Sequence, residues 1–102
     1  MLNQAYEKLQ MGAEILATGG GRINERLATA FKVALYDVPA EALPAEARKR
    51  WDRVWKRVTA IEDPINGPFA ASVGKMKEDE AAQIAQEIVA VDAMVRRALD
   101  LK

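Results

Sequence analysis

The stretch of this chain richest in chemical groups is "RKRWDRVWKR", residues 48–57. It holds Arg48, Lys49, Arg50, Arg53, Lys56 and Arg57 together with both tryptophans, Trp51 and Trp55. Cations interleaved with indoles suit a single-stranded nucleic acid, whose bases stack on rings and whose phosphates attract cations. That chemistry needs rings and cations on one exposed face. At about 100° per residue, Trp51 and Trp55 fall about 40° apart on a helix and share an arc with Ala47, Val54, Val58 and Ile61. Lys49, Arg50, Arg53, Lys56 and Arg57 occupy the opposite side, and Arg48 flanks Trp55. The spacing predicts indoles directed inward and a cationic back facing water, neutralised by Glu41, Glu46 or the acidic start of the last helix. Lys49, Arg50, Arg53, Lys56 and Arg57 remain a candidate anion or nucleic-acid patch with salt-dependent affinity.

Other groups offer less. "GGGR" at 19–22 precedes a helix, whose N-terminal amides can hold an anion, yet the spaced glycines and Lys-Ser/Thr ending of phosphate loops are missing. A plain linker is the better reading. Glu78, Asp79 and Glu80 carry charge for a hard cation, but neighbours on a helix point in different directions, and an acidic first turn explains them. Asp92 lies at the margin of an apolar arc, where an arginine from a neighbouring helix is the expected partner. Ser72 is the only serine, and the chain has neither histidine to activate it nor cysteine to replace it. Tyr6 and Tyr36 are explained by packing on helices. No catalytic residue, metal site or cofactor is therefore expected.

The elements that position these groups are helices. The apolar residues recur at helical spacing in four segments, at about 2–17, 22–36, 44–61 and 78–100, with a long loop at about 63–76. Leu2, Ala5, Tyr6, Leu9, Ala13 and Leu16 line the first, and the three glycines at 19–21 end it. Ile23, Leu27, Ala30, Phe31, Ala34 and Leu35 line the second. "DVPAEALP" breaks it, with Pro39 suited to a short extra turn and Pro44 to the start of the third helix. In the loop, Pro64, Asn66-Gly67, Pro68 and Gly74 interrupt regular structure, while Phe69 and Val73 are expected to plug the bundle. Ile84, Ile88, Val91, Val95, Ala98 and Leu99 make the last helix's seam, and Arg96, Arg97 and Lys102 suit its C-terminal dipole. The expectation is all-α: a compact four-helix bundle in one domain, 1–102.

Fifteen Lys and Arg balance fifteen Asp and Glu, so the net charge is zero, unlike the cationic excess of a dedicated nucleic-acid protein. "MLNQAYEKLQ" lacks the pattern of a signal peptide, and no apolar run approaches the ~20 residues of a membrane span. A soluble, cytoplasmic protein with no membrane partner is expected.

The most informative residues are those left over after one core is built. Met11 and Ile15 lie outside the first helix's stripe, and Val33 and Tyr36 are displaced from the second's. On the last helix Ala82, Ala85, Val89 and Ala93 make a second, small-residue strip, with Met94 and Leu101 on a third edge. A central helix buried on two sides accounts for part of this. The alternative is a candidate partner-binding surface using Met11, Ile15, Val33, Tyr36, Val89 and Met94.

"ERLATAFKVALYDVPAEALPAEARKRWDRVWKRVTAIED" followed by "GPFAASVGKMKEDEAAQIAQEIVAVDAMV" resembles a recurring type of short bacterial all-helical protein, over roughly residues 25–95. That resemblance implies a helical fold and assigns no site residues. The sequence thus points to a non-catalytic protein-binding or self-associating module: an accessory, adaptor or inhibitor subunit, with a phage or mobile element as a source. Nucleic-acid association through the basic helix is the alternative.

Overall fold

The computed structural model describes residues 2–99, and all regular structure among them is helical. Five α-helices occur in the order α1 (Leu2–Thr18), α2 (Ile23–Val33), α3 (Ala45–Val58), α4 (Pro68–Gly74) and α5 (Glu78–Ala98), with 3-10 turns at Leu35–Asp37 and Ala40–Ala42. The expected all-α bundle is present. The residue-100 end of the last helix, and the readings of Leu101 and Lys102, lie outside the described residues.

Each long helix buries a stripe recurring every three or four residues, as a helix must to present one face to a core. These stripes are Ala5, Leu9, Gly12 and Leu16 on α1, Ala47, Trp51, Val54 and Val58 on α3, and Ala81, Ile84, Ile88, Val91 and Val95 on α5. With Leu27, Ala30 and Phe31 of α2 and Val73 of α4 they form one continuous core. The α5 helix packs against α1, α2 and α3, which accounts for its long apolar sequence. Gly12 lies so close to Leu35 that a β-carbon there would overlap that side chain, so the first 3-10 turn rests directly on the α1 backbone.

Two helices stop earlier than their periodicity suggests. The second gives way after Val33 to the Leu35–Asp37 turn, and the third ends at Val58. The region expected as loop 63–76 contains a seven-residue helix, α4, with Gly67 at a φ of 85° before it and Pro68 in its first turn. A proline there needs no amide partner, so the residues that interrupt the loop also start the helix. Asp63 prepares this turn by accepting the backbone N–H groups of Ile65 and Asn66, both at 3.0 Å. Those bonds, led by Asn66, hold the Asp63 carboxyl below its ordinary range.

Three polar side chains tie the elements together. Buried Asn24 donates to the carbonyls of Val73 (3.0 Å) and Met76 (2.9 Å), fastening the end of α4 to α2. Ser72 Oγ accepts the Ile61 N–H at 2.8 Å and donates to the Ile61 carbonyl at 3.3 Å, which holds α4 to the segment after α3. Arg26 donates to the Leu16 carbonyl at 3.0 Å, satisfying an acceptor that the end of α1 leaves open.

Candidate functional sites on the two flanks of α3

The basic helix has two different sides. Toward α5, its cations meet acids. Arg50 donates to Glu87 at 3.1 Å and Arg57 to Glu80 at 2.6 Å, while Lys49 lies 3.6 Å from Glu46 one turn back. Glu46 and the start of α5 therefore neutralise the arc as expected, joined by Glu87. Glu41 does not: its carbonyl, with those of Ala40 and Leu43, accepts hydrogen bonds from Arg48. Of the five patch residues, only Arg53 and Lys56 have no ion pair among the described residues. Arg53 and Arg57, with Gln83, Gln86 and Glu87, line a cleft of about 300 Å³ between α3 and α5.

The other side meets the 3-10 turns. Trp51 is 2% exposed and stacks on Phe31, with ring centroids 5.9 Å apart, as the inward reading requires. Trp55 departs from that reading, because 37% of it is exposed. Its offset of about 40° from Trp51 puts it at the edge of the buried face. Phe69 of α4 meets the indole edge-on at 5.6 Å and Phe31 lies 6.3 Å away, which leaves the outer part of the ring open. Trp55, Trp51 and Asp52 of α3 then form a cleft of about 220 Å³ with Tyr36, Val38, Ala40 and Glu41.

The six candidate partner-binding residues differ in exposure, and two of them, Tyr36 and Val89, line different clefts. Ile15 and Met94 are half-buried against the core. Met11 on α1 and Val33 at the end of α2 are exposed, and Tyr36 lines the cleft beside Trp55. Val89 borders a separate, almost wholly apolar groove of about 330 Å³, made by Ala13, Leu16 and Ala17 of α1, Ile23 of α2 and Ala85, Gln86 and Val89 of α5. Ala82 and Ala93 of the small-residue strip are half-buried.

The remaining reactive groups are held in structural roles. The Glu25 side chain folds against Gly21, placing an acid where the "GGGR" segment would have received an anion. Arg22 lies 3.9 Å from Glu78. Glu78 and Glu80 thus face different arginines, and Asp79 Oδ1 accepts the Glu80 N–H at 2.9 Å. No group of three or more potential metal-ligating side chains occurs among the described residues.

Asp92 pairs with Arg96 of its own helix, at 3.9 Å, and not with a neighbouring helix as expected. Its Oδ1 is buried without a partner. Burial pushes the Asp92 carboxyl above its ordinary range, and Arg96 opposes this. The Arg96 guanidinium also lies 5.9 Å from the ring centre of Tyr6, which is half-buried against the core. Among the described residues, no helix is long and apolar enough to cross a membrane.

The signals that sequence reasoning missed were Asn24, an amide inside an apolar stripe, and Glu87, an acid on α5 that meets Arg50 of α3. Comparison with protein-family models, curated proteins and solved structures finds no match.

Proposed function

We propose that this protein is a non-catalytic helical module that binds another protein or a second copy of itself. The observation that carries this reading is the groove between α1 and α5. Apolar side chains form nearly all of it, and Val89 stands 52% exposed at its margin. Apolar surface of this kind costs free energy in water and gains it when covered, at roughly 25 cal/mol per Å² removed from solvent. The hydroxyl of Ser72 is occupied with Ile61, and the chain contains no histidine or cysteine, which favours binding over turnover.

The test compares the native chain with Val89→Glu in sedimentation at high concentration and in affinity capture from the native host. A dimer or a reproducible partner, lost in Val89→Glu while helicity is kept, is the expected outcome. A monomer with no partner under either condition overturns the reading.

Nucleic-acid association remains a second reading, favoured by Arg53 and Lys56, which stand outside the ion pairs of the basic helix. Each neutralised phosphate contributes about 0.7–0.9 to the salt slope, so two free cations support only shallow dependence. That reading requires binding abolished by Arg53→Glu combined with Lys56→Glu.

A further inference from the structure

The cleft beside Trp55 has chemistry different from the α1–α5 groove. Two exposed rings border it: Tyr36, at 53%, and Trp55, at 37%. Among the described residues Tyr36 stacks on no other ring, and Trp55 leans on Phe31 and Phe69. One side of the indole is thus supported by the core while its remainder is open.

Two carboxylates, Asp52 and Glu41, line the same cleft, and no lysine or arginine does. Neither makes an ion pair among the described residues, whereas nearby Asp37 lies 3.8 Å from Lys8. The walls are fixed in place: Arg48 reaches from α3 to the carbonyls of Ala40, Glu41 and Leu43 at 2.8–3.2 Å, which clamps the second 3-10 turn onto the helix. The walls of the cleft are therefore fixed by the fold, and two electron-rich rings and two acids without ion pairs among the described residues line one space.

Such a space is complementary to a cation with a flat, weakly hydrated head. A guanidinium can lie against an aromatic face while donating in its own plane to carboxylates, and an ammonium, compact and strongly hydrated, does this less well. We propose that this cleft receives an arginine side chain of a partner polypeptide, with Trp55 and Tyr36 flanking the guanidinium and Asp52 and Glu41 accepting its N–H groups. The proposal rests on the reading of the chain as a protein-binding module and names the chemistry that one of its surfaces selects.

The probes are three short peptides, identical except for a central arginine, lysine or citrulline, the last a neutral near-isostere. Each is titrated into the full isotope-labelled chain while the Trp55 indole N–H and Tyr36 signals are followed by NMR. The arginine peptide should shift both signals saturably. Its dissociation constant should be lower than that of the citrulline peptide by about fivefold or more, and lower than that of the lysine peptide. Glu41→Gln with Asp52→Asn, two exposed positions, should remove that preference and leave the rest of the spectrum unchanged. Equal binding of arginine and citrulline peptides, tighter binding of lysine, an unchanged preference in the double variant, or no shift at all would each overturn the assignment.

The Val89→Glu chain separates this proposal from the broader one. It should bind the arginine peptide normally even where its association through the α1–α5 groove is lost. Persistent Val89-dependent association without peptide binding sinks the cleft alone.

Discussion

The two flanks of α3 share a helix but solve opposite problems. On the α5 side, Arg50 and Arg57 are matched by Glu87 and Glu80. On the side of the 3-10 turns, Asp52 and Glu41 have no such match and Trp55 is only partly covered. The flank where Arg50 and Arg57 meet α5 is therefore the more self-satisfied, and the unpaired acids mark the open one. Local charge density in a sequence is a poor guide to free charge in a fold, because a surface's field depends on what the neighbouring helix supplies.

The largest test of this contrast uses the two indoles. Trp51→Ala should destabilise the chain by about 3–5 kcal/mol, as expected for deleting a fully packed aromatic, whereas Trp55→Ala should cost about 1–2 kcal/mol. Chemical denaturation of both variants measures the difference. Equal costs would mean that Trp55 is as enclosed as Trp51 and that the open flank is misplaced.

Asn24→Ala addresses the support behind the open flank. It removes both bonds to the end of α4, for an expected loss of about 1–3 kcal/mol. Since α4 carries Phe69, which backs Trp55, the same change should shift tryptophan emission to the red and speed amide exchange in α4. Loss of stability without either local sign would detach α4 from the account of Trp55.

The paired flank should respond weakly. Arg57→Ala should cost about 0.2–1 kcal/mol, the range of exposed ion pairs, and less at high salt. A larger, salt-independent loss would make this flank a structural anchor and not a screened surface.

Asp92 gives the smallest effect. Burial raises the folded-state pKa of Asp92 above its ordinary value, so the unfolded chain loses this proton first as pH rises. The resulting penalty is absent below the unfolded value, grows through the window between the two, and is complete above the folded value. Asp92→Asn should therefore stabilise the protein by about 0.5 kcal/mol near neutral pH, discounted for solvent screening, and by nothing near about pH 3. A loss of stability at neutral pH would show that the Arg96 pairing outweighs burial.

Much of this architecture was legible along the chain. Regular spacing placed Leu9, Leu27, Trp51, Val58, Ile84 and Val91 inside, where all are buried, and Pro39 opened the short turn it suggested. Phe69 and Val73 pack on the bundle as expected. The helix carrying them was hidden because seven residues bounded by Gly67-Pro68 and Gly74 are too few to establish a period. Trp55 was misjudged because a helical wheel orders residues around an axis without saying how far the covering helices extend. The pairing of Arg50 with Glu87 spans 37 positions and depends on the register of α3 against α5, which composition does not encode. That Tyr36 and Val89 line different clefts has the same origin.

The central claim is that this protein meets its partners through its open groove and cleft and not through the cationic face of α3. Site-specific photocrosslinking in the native host tests it most directly, with a photoreactive amino acid placed at the position of Val89 or of Arg53. The account predicts discrete polypeptide adducts, or a crosslinked dimer, from position 89 and none from position 53. Adducts confined to position 53, above all to nucleic acid, would contradict it.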